Sequence, residues 1–420
     1  MFDHKGMEMF PQHEDIYAVL GFVNCNTAEQ ILHILSPTLC NNVGDISKLP
    51  VLDPAPATRS RITSLVQENI ALSKADWDSY ETSWDFSTHP LCRPGEPLVE
   101  RQMRRWQREC AERFERLRSN EEELNAIFAR LYGMEGEVET EVPDGKVSVH
   151  RVFEAADDVP EGMRGGGYAR TFRDEAASLV SYAVGCVMGR YSADAPGLVL
   201  ADAGATLDDF DEKVPGARFR PCAEGVLTIA ETEDVTVDKQ NDAVEWIRRW
   251  LAATYGEEHL TENVGFLEEQ LGYDLRTYLA REAKGGFWYD HRTTYQATSS
   301  GKRPIYWMFR SPGKSSRNHP VLRVLVYLHR WDRATAGEVL NEHVRPYARA
   351  LAAQAEALEA AGGARDVARA ASYRQLAREL DDWDRDVLHP LAQEHVELDL
   401  DAGVQANYKA LAARGALAAL

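Results

Sequence analysis

The sequence predicts a helix-rich α+β protein, and three observations carry that expectation. From Met103 to Leu131 apolar residues recur at steps of three and four, through Trp106, Cys110, Phe114, Leu117, Leu124, Ile127 and Phe128, which is the signature of an amphipathic helix. Two apolar runs, PIYWMF ending at Phe309 and VLRVLVYL ending at Leu328, flank the polar stretch RSPGKSSRNH and predict a β-hairpin with a long basic tip. From 335 to about 388 the chain is alanine-rich, with a break at Gly362-Gly363 and a 4-3-4 repeat through Leu376, Leu380, Trp383 and Val387. That pattern predicts an antiparallel helical hairpin stopped by Pro390.

The remaining elements follow in chain order. Ile16 to Val23 is an apolar run that reads as a strand or a buried segment. Ala28 to Leu35 has helical spacing at Ile31, Leu32 and Leu35, and Pro37 stops it. VLDPAPA, from Val51, reads as an extended proline-rich linker. Residues 58–74 are helical, with Ile62, Leu65, Val66, Ile70 and Leu72 on or near one face, and 76–97 is aromatic and irregular. The long helix at 100–131 carries Arg101, Arg104, Arg105, Arg108, Arg113, Arg116 and Arg118 opposite its apolar stripe, among glutamates, which favours a salt-bridged solvent face over a phosphate-facing one. Residues 140–240 mix short strands with a helix through Ala176–Val187, and 242–283 hold two helices broken near Gly256 and Gly272. Four regions result: an N-terminal region with linker (1–57), a helical spacer (58–135), a mixed α+β domain with the basic hairpin (136–334), and a C-terminal helical hairpin and tail (335–420).

Composition narrows the class. The chain has 420 residues, 44% hydrophobic and 27% charged, enough for two or three domains of ordinary globular type. No apolar run has the length of a membrane span, and the N-terminus has no signal-peptide core, so a cytoplasmic location without membrane attachment is expected. Six cysteines show no C-x-x-C pair and read as free, buried thiols. The twelve histidines form no ligand pair of known spacing, so no metal site is expected.

The net charge of −20 argues against unspecific grip on nucleic acid, but one stretch reverses it. Between Asp290 and Asp332 there is no acidic residue and there are eight basic ones: Arg292, Lys302, Arg303, Arg310, Lys314, Arg317, Arg323 and Arg330. The rest of the chain therefore carries −28. Tyr295, Tyr306, Trp307, Phe309, Tyr327 and Trp331 are interleaved with them. Two readings stand: contact with the DNA backbone, centred on Lys302, Arg303, Lys314 and Arg317, or internal pairing with some of the 67 acidic residues.

Methyl-transfer chemistry is absent from the pattern. Adenine N6 methylation needs an N/D-P-P-Y/F tetrapeptide to hold the amine and stack on the flipped base, and none occurs; Asn318-His319-Pro320-Val321 fails. No glycine turn follows a strand to hold a cofactor. Gly313-Lys314-Ser315 has Met308 where a phosphate-binding loop needs its first glycine, and Asp399-x-Asp401-x-Gly403 lacks the other ligands of a calcium loop.

Several segments, in order along nearly the whole chain, resemble one family. Leu20-Gly21-Phe22-Val23-Asn24-Cys25, Leu35-Ser36-Pro37-Thr38 and Gly44-Asp45-Ile46-Ser47-Lys48-Leu49-Pro50 look like the end of a target-recognition domain of Type I specificity subunits or Type IIG-like methyltransferases; Cys25 stands where serine is frequent. Ser73-Lys74-x-Asp76-Trp77-Asp78-Ser79-Tyr80-Glu81-Thr82-Ser83-Trp84-Asp85-Phe86 is more specific, and is similar to a segment of BREX-type (phage growth limitation, PglX) adenine-specific DNA methyltransferases. Glu123-Leu124-Asn125-x-Ile127-Phe128, Ser181–Cys186 with Gly189-Arg190-Tyr191, Arg303–Trp307, Tyr327-x-His329-Arg330, and Leu398–Val404 with Asn407-Tyr408 complete the set. The resemblance implies a DNA-recognition and scaffold portion of an enzyme that marks self DNA in phage defence. It implies double-stranded DNA, a methyltransferase half and other BREX subunits as partners, and S-adenosylmethionine as the cofactor of the full-length enzyme but not of this chain. A scaffold subunit without DNA contact is the alternative. No position here inherits a catalytic role. Trp77, Trp84 and Phe86 are expected to be packing anchors, and Asn24 to cap a turn rather than read a base.

Overall fold

The computed structural model describes residues 9–11, 16–36, 43–230, 241–296, 301–313, 319–399 and 402–420. The chain divides into two compact units, the first made of 1–80 and 104–172, the second of 81–103 and 173–420. The helix-rich α+β expectation holds.

The first unit begins with α1 (Ile16–Val23), α2 (Asn26–Leu35) and the short α3 (Val43–Ile46). Of the two readings of 16–23, a strand or a buried segment, the strand is corrected and the buried segment holds, as a helix: eight apolar residues have no period that separates a buried helix from a strand. Gly21 allows α1 to lie against α4 (Pro56–Trp77), since a Cβ there would stand 2.9 Å from Val66 Cγ2. Pro56 opens α4 at its first turn, where a missing N–H costs nothing, so the last two residues of the proline stretch join the helix while residues 51–55 before it are non-helical. Helix α5 (Val99–Leu131), whose first turn to Met103 belongs to the second unit, packs Leu124 and Phe128 with Phe22, Cys25, Ile62 and Leu65. The ring of Phe22 stacks on Tyr132 at 4.9 Å. A second cluster joins Phe114 and Leu117 of α5 to Val147, Val149, Phe153 and Met163, beside the parallel pair β1 (Arg151–Phe153) and β2 (Ala169–Thr171).

One carboxylate ties this unit together. Asp76 is 3% exposed and accepts from Arg113 Nη1 at 3.0 Å, from the His150 backbone N–H at 3.1 Å and from His150 Nδ1 at 2.7 Å. It thereby joins α4, α5 and the segment before β1. Because Asp76 takes the inward direction at the end of α4, Trp77 turns outward and is 59% exposed, while Trp84 is fully exposed; only Phe86 of the three expected anchors is buried. The arginine face of α5 is salt-bridged as expected, with Arg116 to Glu68 at 2.7 Å and Arg118 to Asp144 at 2.7 Å.

The second unit is built on the antiparallel sheet β3 (Val226–Ala230), β5 (Leu322–Tyr327), β4 (Tyr306–Arg310), with β5 central and wholly buried. The predicted hairpin is β4–β5, in register Tyr306↔Tyr327 to Arg310↔Arg323. Its outer edge is closed by the C-terminal tail, where Arg310 N–H donates to Ala416 and Ala418 N–H to Met308, so no strand edge is left open there. Around the sheet lie α6 (Phe172–Val187), α7 (Leu207–Lys213), α8 (Ala243–Tyr255), α9 (Leu260–Leu271), α10 (Leu275–Ala280) and α11 (Phe287–Thr294). Asp242 caps α8 through Val244 and Glu245 N–H, and Gly272, at φ 72°, closes α9. After α12 (Thr335–Glu338) come α13 (Arg345–Ala361) and α14 (Ala364–Trp383), the predicted hairpin of helices, then α15 (His389–Gln393) and α16 (Val404–Ala413).

Pro390 does not stop the helix. A π-helical stretch, Asp384–Leu388, precedes it and α15 continues; a second π stretch, Val339–Val344, precedes Pro346. A proline ring clashes with the carbonyl four residues earlier, and in both cases that residue, Glu342 or Asp386, lies in the wider π turn. All five described cysteines, Cys25, Cys92, Cys110, Cys186 and Cys222, are free and buried.

Removing Asp76 strands Arg113 and His150, so Asp76→Ala is expected to cost about 3–5 kcal/mol in urea unfolding. Lys74→Ala, which breaks an exposed pair with Asp78, is expected to cost under about 1 kcal/mol. Equal costs for the two would remove Asp76 from its central role.

Candidate functional site

The acid-free window begins in α11 and runs through the β4–β5 hairpin to Trp331. His291, in the last turns of α11, holds the start of β4. Its Nε2 accepts from the backbone N–H of Ile305 and of Tyr306, each at 3.1 Å, which places the ring proton on Nδ1. Burial, and then the nearby Arg190, pull its pKa down to about 3. Arg190 itself is 7% exposed, with its guanidinium 5.0 Å from the ring of Tyr191 and 5.7 Å from that of Tyr295. Desolvation works against its charge, but the surrounding tyrosines hold its pKa well above the ordinary value.

Four of the eight basic residues have internal roles. Arg310 and Arg323 stand opposite each other on β4 and β5, an arrangement of like charges that Glu282 offsets. Its carboxylate accepts from Arg310 Nε at 2.9 Å and from Arg323 Nε at 2.9 Å. Arg330 reaches inward to the carbonyls of Cys222, at 2.8 Å, and Ala223, over Gly225, where a Cβ would meet its side chain at 3.0 Å. Arg292 donates to the carbonyl of Ala419 at 3.4 Å and lies beside Trp288.

Lys302 and Arg303 are different. Lys302 is half-buried and Arg303 exposed, and neither side chain makes an ion pair among the described residues. Their backbones are fixed: Arg303 N–H donates to Tyr295, and the Lys302 carbonyl accepts from Gln405 Nε2 at 3.2 Å. Two cations are thus presented from a rigid β-bridge next to α11. Lys314 and Arg317, the other two candidates, lie outside the described residues. Beside the hairpin, Arg276, Arg281, Glu282, Arg310, His319 and Arg323 line a cleft of about 370 Å³.

Sequence reasoning did not find Glu282, His291 or Arg190 as site residues, and only Arg190 fell within a family-like segment. No pattern marks a carboxylate that two strands will share. Among the described residues no group of three or more His, Cys, Asp or Glu side chains is gathered as a metal site, and no helix is long and apolar enough to cross a membrane.

The chain as a whole is similar to known proteins. The chain is a relative, along nearly its whole length, of the BREX-type adenine-specific methyltransferases. It is 32% identical over 429 aligned positions to the adenine-specific methyltransferase PglX of Lacticaseibacillus casei (strain Zhang), covering 97% of this chain. It is 28% identical over 431 positions to the adenine-specific methyltransferase BrxX of Escherichia coli O9:H4 (strain HS), again over 97% of the chain. Those alignments take in 32% and 34% of the two proteins, so the chain spans about a third of the length of these relatives. No protein-family profile matches it.

Two buried histidines give a test of the site's interior. His343, bonded to Thr228 Oγ1 at 2.7 Å, is likewise pulled down, to about 4, by burial. Since both folded values lie below the unfolded 6.5, each contribution to stability is complete above pH 6.5 and is lost as pH falls from there, toward about 4 for His343 and about 3 for His291. The ring signals of both residues in NMR are expected to stay still between pH 8 and 5. A titration midpoint near 6.5 for His291 would mean that β4 is not anchored through it.

Proposed function

We propose that this chain is a DNA-recognition and scaffold portion of a BREX-type adenine-specific methyltransferase that marks self DNA in phage defence. On this reading it works in the cytoplasm and grips double-stranded DNA. Methyl transfer from S-adenosylmethionine is left to a methyltransferase portion, with other BREX subunits as further partners. The observation that carries the reading is the acid-free window, in which Lys302 and Arg303 are presented without an acidic partner among the described residues on a chain of net charge −20. Backbone contacts from such side chains fix register and carry no sequence information. Residues 1–57 then serve as the end of the target-recognition domain.

A second reading, a scaffold without DNA contact, is favoured by one specific observation. Arg310 and Arg323 are engaged by Glu282, and Arg292 and Arg330 by backbone carbonyls, so half of the window is architectural.

The two readings part on salt dependence. Replacing Lys302, Arg303, Lys314 and Arg317 together by alanine, in the chain joined to its methyltransferase portion, is expected to weaken cognate and random duplexes alike. The slope of log affinity against log salt should shrink by up to roughly three to four, about 0.9 for each phosphate no longer neutralised. An unchanged slope with a lowered melting temperature would make the scaffold reading the right one. The chain by itself is expected to give no heat of binding with S-adenosylmethionine in calorimetry; micromolar affinity would overturn the division of labour.

A further inference from the structure

The first unit contains a cavity of about 520 Å³, open on one side, within the ~300–1,000 Å³ typical of small-molecule sites. Three separate stretches of the family-like sequence meet around it. Asn24 and Cys25 come from the end of α1, Ser73 from α4, and Leu124 and Asn125 from α5. Nothing in the proposed DNA grip uses these residues, which belong to the other unit.

The walls are chemically uneven. Leu20, Val66, Leu117 and Leu124 supply apolar surface, and the polar groups are four amides, Ser73, Ser148, Lys146 and two acids, Glu29 and Glu121. The Asn125 amide is fully engaged, accepting from Asn26 N–H at 2.9 Å and donating to the Thr140 carbonyl at 3.2 Å. Asn69 accepts from Asn120 through its oxygen at 2.9 Å, which leaves its NH₂ as a donor on the cavity wall. Glu121 follows Asn120 on α5 and also lines the cavity, and its carboxyl has neither a hydrogen bond nor an ion pair among the described residues. The one lysine, Lys146, is exposed and paired with Glu29 at 3.3 Å, so no uncompensated cation awaits a phosphate.

An unpaired carboxylate and an amide donor lining one cavity ask for a planar partner with two adjacent N–H donors followed by a carbonyl. Among nucleobases guanine has that edge, with its exocyclic amine and ring N–H next to O6. We propose that this cavity binds a guanine base without its phosphate, Glu121 accepting from the amine and the ring N–H and Asn69 donating to O6. The base can come from a free nucleoside or from an unstacked position in a single strand, and the two sources share this edge. Burial raises the Glu121 carboxyl to about 7, so the ionised form that accepts twice is minor at pH 6 and dominant at pH 8.5.

The test is calorimetry of the full chain with guanosine, inosine, adenosine and guanosine monophosphate at pH 6 and 8.5. Guanosine is expected to bind tighter at pH 8.5 than at pH 6, and tighter than inosine, which lacks the amine, or adenosine; the monophosphate should gain nothing. Glu121→Gln keeps the shape and adds a donor where two acceptors are needed, so guanosine affinity should fall about tenfold or more. A melting temperature of this variant at or above that of the parent establishes that the loss is one of recognition. An oligodeoxynucleotide with a single central guanine identifies the source: tighter binding than guanosine assigns the strand, weaker binding the free nucleoside. Absence of guanosine binding at pH 8.5, or an affinity unchanged in Glu121→Gln, would overturn the proposal.

Discussion

A carboxylate shared by several donors fixes the elements that carry them, and one such carboxylate organises part of each unit. In the first, Asp76 gathers Arg113 and His150 and so holds two long helices and the segment before β1 in one relation. In the second, Glu282 lets two arginines face each other across the central strand pair. At the end of α4 Asp76 is turned inward and its neighbour Trp77 outward. Packing alone would have placed the tryptophan inside.

Much of the family-like sequence is architecture. Arg190 sits among tyrosines, and Arg330 closes on carbonyls beside Gly225. Asn407 binds the backbone of Asp399 and Gly403 and so shapes the loop before α16. Asp76, within the most specific segment, is a structural hub. Among the described residues, those without such a role include two cations at a β-bridge, an acid lining a cavity, and the outward Trp77 and Trp84.

The long helices were legible because their apolar residues repeat over many turns, as in α5, and the β4–β5 hairpin because two apolar runs bracket a polar one. Helix α1 was not, since eight apolar residues carry no period. Pro390 misled because the rule against proline in helices assumes an α turn, and the chain widens to a π turn first. In the basic window the sequence had the right residues but could not divide them. Arg310 and Arg323 differ from Lys302 and Arg303 in having Glu282 nearby, a carboxylate outside the window that folding brings to them. Glu121 gave no local signal at all, since its isolation depends on α1, α4 and α5 meeting.

The buried thiols add a property of a different kind. Cys25 and Cys110 belong to the first unit, and Cys92, Cys186 and Cys222 to the second. Burial pushes Cys25 upward and Cys92 up to about 12, so neither is a ready thiolate in the native fold. A thiol reagent can modify them only when the surrounding structure opens. The chain thus carries an internal clock for each unit, and the order in which its cysteines become reactive would report which unit loosens first.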